Sequence, residues 1–192
     1  MEKLSSEEKK MLLQLARQSL ENCVKGFDPL HVDEKMLTPA LLQKGASFVT
    51  LTISGQLRGC IGSLEPYQAL YQDVCEHAIA AALHDYRFSP VRPSELPRIL
   101  VEVSYLTLPK TLIYQDPQDL LNLLQPGQDG VILRDGSRRA TFLPQVWSQI
   151  PSKEEFLDHL CAKMGEPSKL WKLKHLDVEI YGVEEFHEGG EN

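Results

Sequence analysis

Apolar residues recur at helical spacing through Met11, Leu12, Leu15, Ala16, Leu20, Cys23 and Val24, and Gly26 closes the run. Ser5 with Glu8 three positions on forms a capping box, which satisfies the first free N–H groups of a helix, so one is predicted over residues 6–25. Beyond Asp28-Pro29, the segment from Thr38-Pro39 to Gly45 carries a cap, a first-position proline and a terminal glycine, the marks of a short helical turn. The period then changes to two. Val49, Leu51 and Ile53 alternate with Thr50 and Thr52, and Leu57 to Gly62 alternates again after Ser54-Gly55-Gln56, which predicts a β-hairpin. A two-residue Ser54-Gly55 loop would set Leu57 against Thr52 and Arg58 against Leu51, mixing polar with apolar on both faces. A three-residue loop pairs Ile53 with Leu57, Leu51 with Gly59 and Val49 with Ile61, and gathers Thr50, Thr52, Arg58 and Cys60 on the other face. That register is the one predicted, because a slip of one residue reverses every side chain.

Pro66 opens a helix predicted to run through Leu70, Val74, Ala78 and Ala81 to about His84, where the proline of Asp85-Tyr86-Arg87-Phe88-Ser89-Pro90 stops it. A third strand is predicted from Ile99 to Leu106, a short helix over residues 116–124, and a second hairpin from Val131 to Leu143 around Asp135-Gly136-Ser137. Helical stretches follow from Pro144 and over residues 152–164, and residues 177–186 read as a closing strand. Hairpins followed by helices, without regular β–α alternation, give an α+β fold of antiparallel β-hairpins with flanking helices. Residues 188–192 read as a frayed tail.

A chain of 192 residues buries roughly 70% of the surface it would otherwise expose, enough for a self-sufficient core, so a single domain over residues 1–192 is expected. No apolar run approaches 18 residues, which excludes a membrane-spanning helix. Twenty Lys and Arg against 27 Asp and Glu leave a net charge of -7, which repels a phosphate backbone and weighs against nucleic acid as a partner. The polar start, with no apolar signal segment, implies a cytoplasmic location. Cys23, Cys60, Cys75 and Cys161 form no CxxC pair and read as free thiols. His77 and His84 share a helix face but lie about 10.5 Å apart along the axis, too far for one zinc ion. Neither a metal site nor a cofactor is predicted.

The remaining chemistry centres on the first hairpin. Glycine weakens a strand, so Gly59 and Gly62 around Cys60 point to a bulge, or to a close approach by another backbone or a ligand. Arg58 lies two residues before Cys60, and a fixed cation beside a thiol favours the thiolate that a cysteine nucleophile needs. The ordinary alternative is that Cys60 packs in the core and Arg58 pairs with a carboxylate such as Glu102. His84 and Asp85 have the residue types of a base and its orienter for Cys60, although His84 is equally a helix-terminal surface residue and Asp85 with Arg87 equally a loop-pinning ion pair. Glu102, on the polar side of its strand, is placed to contact Arg58 or Arg87. In the second hairpin Arg134, Arg138 and Arg139 cluster, with Thr141 on the face of Arg139; they form either a carboxylate- or phosphate-binding group or a solvated tip.

With Leu57-Arg58-Gly59-Cys60-Ile61-Gly62 the chain resembles the AMMECR domain family, whose hallmark is the LRGCIG hexapeptide. The resemblance continues through Asp85-Tyr86-Arg87-Phe88-Ser89-Pro90, Glu95-Leu96-Pro97, Val101-Glu102-Val103-Ser104, Gly130-Val131, Ala140 to Val146 and the Phe156-Leu157 helix with Cys161 and Lys163 to Gly165, spanning about residues 6–181. Asp129 departs from it, since many relatives carry histidine before that glycine. The resemblance implies two unequal lobes around a cleft and, in bacterial relatives, the A component of the AmmeMemoRadiSam system beside a Memo-type protein and a radical S-adenosylmethionine enzyme. The chain has no CxxxCxxC cluster motif of its own, so iron–sulfur chemistry would belong to a partner. The expected function is a cytoplasmic enzyme or enzyme component acting on a small metabolite through Cys60, Arg58, His84 and Asp85, with Arg87, Glu102, Gly59, Gly62, Arg139 and Thr141 binding substrate. The alternative is a non-catalytic protein-interaction module of the same system.

Overall fold

The computed structural model describes residues 3–190. In chain order the elements are α1 (Ser6–Lys25), α2 (Pro39–Leu42), β1 (Lys44–Ile53), β2 (Gln56–Gly62), β3 (Gln68–Ala69), α3 (Leu70–Leu83) and β4 (Ile99–Leu106). There follow β5 (Lys110–Thr111), α4 (Pro117–Leu123), β6 (Gly130–Asp135), β7 (Arg138–Phe142), α5 (Lys153–Lys163), α6 (Leu170–Leu173), β8 (Asp177–Tyr181) and β9 (Val183–His187). Short 3₁₀ turns occupy Glu34–Met36, Pro93–Arg98 and Pro144–Ser148. The fold is α+β, in two compact units: the chain up to Thr107 together with the segment from Glu184, and Leu108–Val183.

In the first unit the sheet runs β2–β1–β4–β9, with β3 also paired to β1. Alternation along β1 and β4 sends Val49, Leu51, Val101 and Val103 to one face, where they are fully buried with Leu12, Ala16 and Leu20 of α1 and Val74, Ala78 and Ala81 of α3. The opposite face carries Thr50, Thr52, Cys60, Glu102 and Ser104, all half-buried. Helix α1 starts at the predicted capping box, with Ser5 and Glu8 exchanging side-chain and backbone hydrogen bonds, and ends at left-handed Gly26. The second unit has its own sheet, β5–β8–β6–β7, and its own core around Trp147, Phe156 and Trp171. There the Trp147 and Phe156 rings stack at 3.6 Å, and the Trp147 indole N–H donates to the Asp129 carbonyl.

The hairpin register differs from expectation at its tip. Ile53 pairs with Gln56 and Thr52 with Leu57 around a two-residue turn, whose central Ser54 and Gly55 both have positive φ (52° and 77°), the I′ pattern that matches strand twist. The ladder then shifts between Leu51 and Thr52, and from there inward Leu51 faces Gly59, Thr50 faces Cys60 and Val49 faces Ile61, as predicted. A β-bulge at Arg58 reconciles the short turn with the alternation.

Three boundaries also change. Helix α3 begins at Leu70 and not at Pro66, because Gln68 and Ala69 pair with Gly45 and Lys44 as a short strand. The predicted closing strand is two strands, β8 and β9, serving different sheets. The tail is anchored at Glu188: its carboxylate is ion-paired with Arg17 and accepts from the Val101 N–H at 2.9 Å, while its own N–H donates to the Val101 carbonyl at 3.0 Å. Residues 191 and 192 of the predicted frayed tail lie outside the described residues.

Gly59 holds α3 against β2, since a Cβ there would stand 2.1 Å from the Ala81 carbonyl oxygen, a backbone atom that moves only with its helix. Gly59→Ala is expected to cost about 3 kcal/mol through this overpacking. Gly127→Ala, at φ +80° in open space, should cost only ~1 kcal/mol of backbone strain. Urea denaturation of the two variants checks the difference, and equal losses would remove the packing argument.

Candidate functional site

Cys60 lies on β2, the edge strand, so the backbone groups it does not share with β1 require partners from elsewhere. Asp85 and Arg87, in the loop leaving α3, supply them. The Cys60 N–H donates to Asp85 Oδ2 at 2.9 Å, and Arg87 Nη2 donates to the Cys60 carbonyl at 3.1 Å. The same two side chains are bonded to each other, Nε to Oδ1 at 2.9 Å and Nη2 to Oδ2 at 2.6 Å, and the Arg87 N–H also reaches Oδ1. The Arg87 guanidinium, helped by the two N–H donors, outweighs burial and holds the Asp85 carboxyl well below the usual carboxylate range. Asp85 in turn raises Arg87 above its ordinary value.

On the polar face of the sheet Cys60, Thr50 and Glu102 form a row across β2, β1 and β4. The Thr50 hydroxyl donates to Cys60 Sγ at 3.2 Å. Arg58, on the bulge, is held by Glu95 of the Pro93–Arg98 turn through Nε–Oε1 at 2.8 Å and Nη2–Oε2 at 3.2 Å. This pairing keeps the Glu95 carboxyl below its ordinary value. The Phe88 ring lies 6.0 Å from the guanidinium of Arg58 and 5.6 Å from that of Arg87.

The sequence-predicted residues divide accordingly. Cys60, Asp85 and Arg87 come together, but through the cysteine's main chain, because the Asp85 oxygens are occupied by Arg87 and two N–H groups. His84 caps the end of α3, exposed, with no side-chain hydrogen bond among the described residues, so no Cys60–His84–Asp85 relay is assembled. Arg58 pairs with Glu95 and not with Glu102, and Arg87 with Asp85, which leaves Glu102 on the shared face beyond Thr50. The space beside Gly59 belongs to the Ala81 carbonyl, and that beside Gly62 to the Phe48 ring and the Ser47 carbonyl; both glycines therefore serve packing rather than ligand access. Arg139 and Thr141 belong to the second unit, where Thr141 hydrogen-bonds Tyr181 while Arg134 and Arg138 pair with Glu179 and Glu166.

The model of the AMMECR1 family matches residues 13–186. The chain belongs to the AMMECR1 family. Protein MK0488 of Methanopyrus kandleri is 37% identical over 195 residues, covering 97% of this chain and 91% of that one. A protein of Methanothermobacter thermautotrophicus is 39% identical over 188 residues, covering 97% of each. The crystal structure of uncharacterized protein PH0010 from Pyrococcus horikoshii superposes with a TM-score of 0.76 at 33% identity, covering 97% of this chain and 94% of that chain.

Two features of this AMMECR1 protein escaped the sequence reading. Glu95 was visible only within Glu95-Leu96-Pro97, and nothing local links it to Arg58, 37 positions away. Asp73 is buried, accepting from the hydroxyls of Ser47 at 2.6 Å and Ser63 at 3.4 Å and lying 3.1 Å from His77 Nδ1. The i,i+4 spacing of Asp73 and His77 was the available signal.

Asp85 is the group whose removal tests the clamp. Because its folded carboxyl titrates below the ordinary value of about 3.9, its contribution to stability is complete above that pH and is lost as the pH falls further. Asp85→Ala should lower stability at neutral pH by at least ~1 kcal/mol, the cost of leaving the Cys60 N–H without an acceptor. The half-exposed Arg87 pair adds little beyond this after solvent screening. Urea unfolding from pH 7 down to about pH 2 should show the gap between variant and parent narrowing; a constant gap would contradict the assignment.

Proposed function

We propose that this AMMECR1-family protein is a cytoplasmic enzyme or enzyme component that acts on a small metabolite through the Cys60 sulfur, alongside a Memo-type protein and a radical S-adenosylmethionine enzyme. The observation that carries this reading is the setting of Sγ. It is half-buried on the polar face of the sheet and accepts a hydrogen bond from Thr50, in a residue whose carbonyl is bonded to the Arg87 guanidinium. Of the two nearby arginines, Arg87, fixed by Asp85, is the one bonded to Cys60, through its carbonyl, while Arg58 is engaged by Glu95. Burial pushes the thiols of Cys75 and Cys161 up, which makes them poor nucleophiles at neutral pH. The partners rest on the family resemblance alone.

Thiol labelling at pH 7 with peptide mapping tests this reading. Cys60 should react at least ~10-fold faster than Cys23, Cys75 and Cys161, and Thr50→Val should slow it. Uniformly slow labelling would overturn the proposal. One observation favours the second reading, an interaction module: Tyr86, held between the two residues of the clamp, is 94% exposed. On that reading Tyr86→Ala should abolish co-purification with a Memo-type partner while Cys60→Ser retains it; the reverse pattern favours thiol chemistry.

A further inference from the structure

Between the loop that follows Arg87 and the Pro93–Arg98 turn lies a cavity of about 410 Å³, within the range of small-molecule sites. Three arginines line it, Arg58, Arg92 and Arg98, against one acidic residue, Glu95. Both Glu95 oxygens are engaged: one takes Arg58 Nε, and the other takes Arg58 Nη2 and the Arg92 N–H. Arg17, Arg58, Arg87, Arg134 and Arg138 each have a carboxylate partner. The side chains of Arg92 and Arg98 make no ion pair or hydrogen bond among the described residues. A chain with 27 acidic and 20 basic residues thus sets three arginines against a single carboxylate, whose charge is shared by Arg58 and Arg92, in one concavity.

The geometry of the walls narrows the ligand further. Arg92 and Arg98 stand at the two ends of a 3₁₀ turn stiffened by Pro93 and Pro97 and anchored by buried Leu96. Arg58 is fixed in place by Glu95. Ser89 and Ser94 also line the space, and neither hydroxyl is used in a hydrogen bond among the described residues. Planar guanidinium forks with added hydroxyl donors suit a tetrahedral oxyanion bearing several acceptor oxygens, and two surplus positive charges match a dianion. The Phe88 ring provides an apolar wall for an organic group attached to it.

We infer that this cavity is a binding site for a phosphate monoester, with Arg92 and Arg98 gripping the phosphoryl oxygens and Phe88 against the ester's organic group. Cys60 is not among the lining residues, so the site stands apart from the proposed thiol chemistry. Calorimetric titration of the full chain with phenyl phosphate tests it. Saturable binding is expected, stronger than for inorganic phosphate, and Arg92→Ala/Arg98→Ala should weaken it roughly 10- to 100-fold. Those two exposed side chains make no hydrogen bond or ion pair among the described residues, so the urea midpoint of the double variant should stay close to the parent's and certify its fold. Affinity should rise as the pH passes about 6, where the monoester becomes a dianion. Cys60→Ser should bind as the parent does, which separates failure of this site from failure of the thiol reading. The inference is overturned by absence of saturable binding, by unchanged affinity in the folded double variant, or by equal binding of phenyl phosphate, sulfate and phenylacetate, which would mark a non-selective cationic patch.

Discussion

An edge strand leaves every second residue with a main-chain donor and acceptor pointing away from its sheet. At Cys60 those two groups meet the carboxylate of Asp85 and the guanidinium of Arg87, so two side chains do what a further strand would do, and they do it for one residue only. The pair is matched in charge and bonded to itself, which lets it terminate the sheet without inviting another chain to add on. It also ties the exit of α3 to β2, complementing the contact in which the Ala81 carbonyl sits over Gly59. The helix end, the loop and the strand thus form one unit, and the surroundings of the cysteine sulfur follow from it.

The sheet of the first unit separates structural from chemical side chains by parity. Val49, Leu51, Val101 and Val103 bind α1 and α3, while Thr50, Cys60 and Glu102 share the other surface. Register therefore decides chemistry as well as stability, because a one-residue slip would bury the polar row and expose the valines. Gly62, packed under the Phe48 ring, and the pairing of Leu51 with Gly59 both fix that register close to Cys60.

Local relationships were legible from the sequence and distant ones were not. The capping box of α1, the alternation of β1 and β4, the inner pairing of Val49 with Ile61 and the Asp85–Arg87 pair all depend on residues within a few positions or within one hairpin. The two-residue turn at Ser54-Gly55 conflicts with the alternation, and only a bulge makes the two compatible. The extended start before α3 depends on Gly45 and Lys44, the division of β8 from β9 on a second sheet, and the position of Arg58 on Glu95. Each of these is decided by tertiary pairing, to which periodicity within a segment is blind.

The bulge in β2 has one more implication. If position 58 were deleted, the turn would close as it does now, Thr52 would still face Leu57, Leu51 would still face Gly59, and the ladder would be continuous. Strand pairing therefore gains nothing from this supernumerary residue. What the extra position provides is a point of attachment for the guanidinium that Glu95 holds, outside the regular pairing of the ladder.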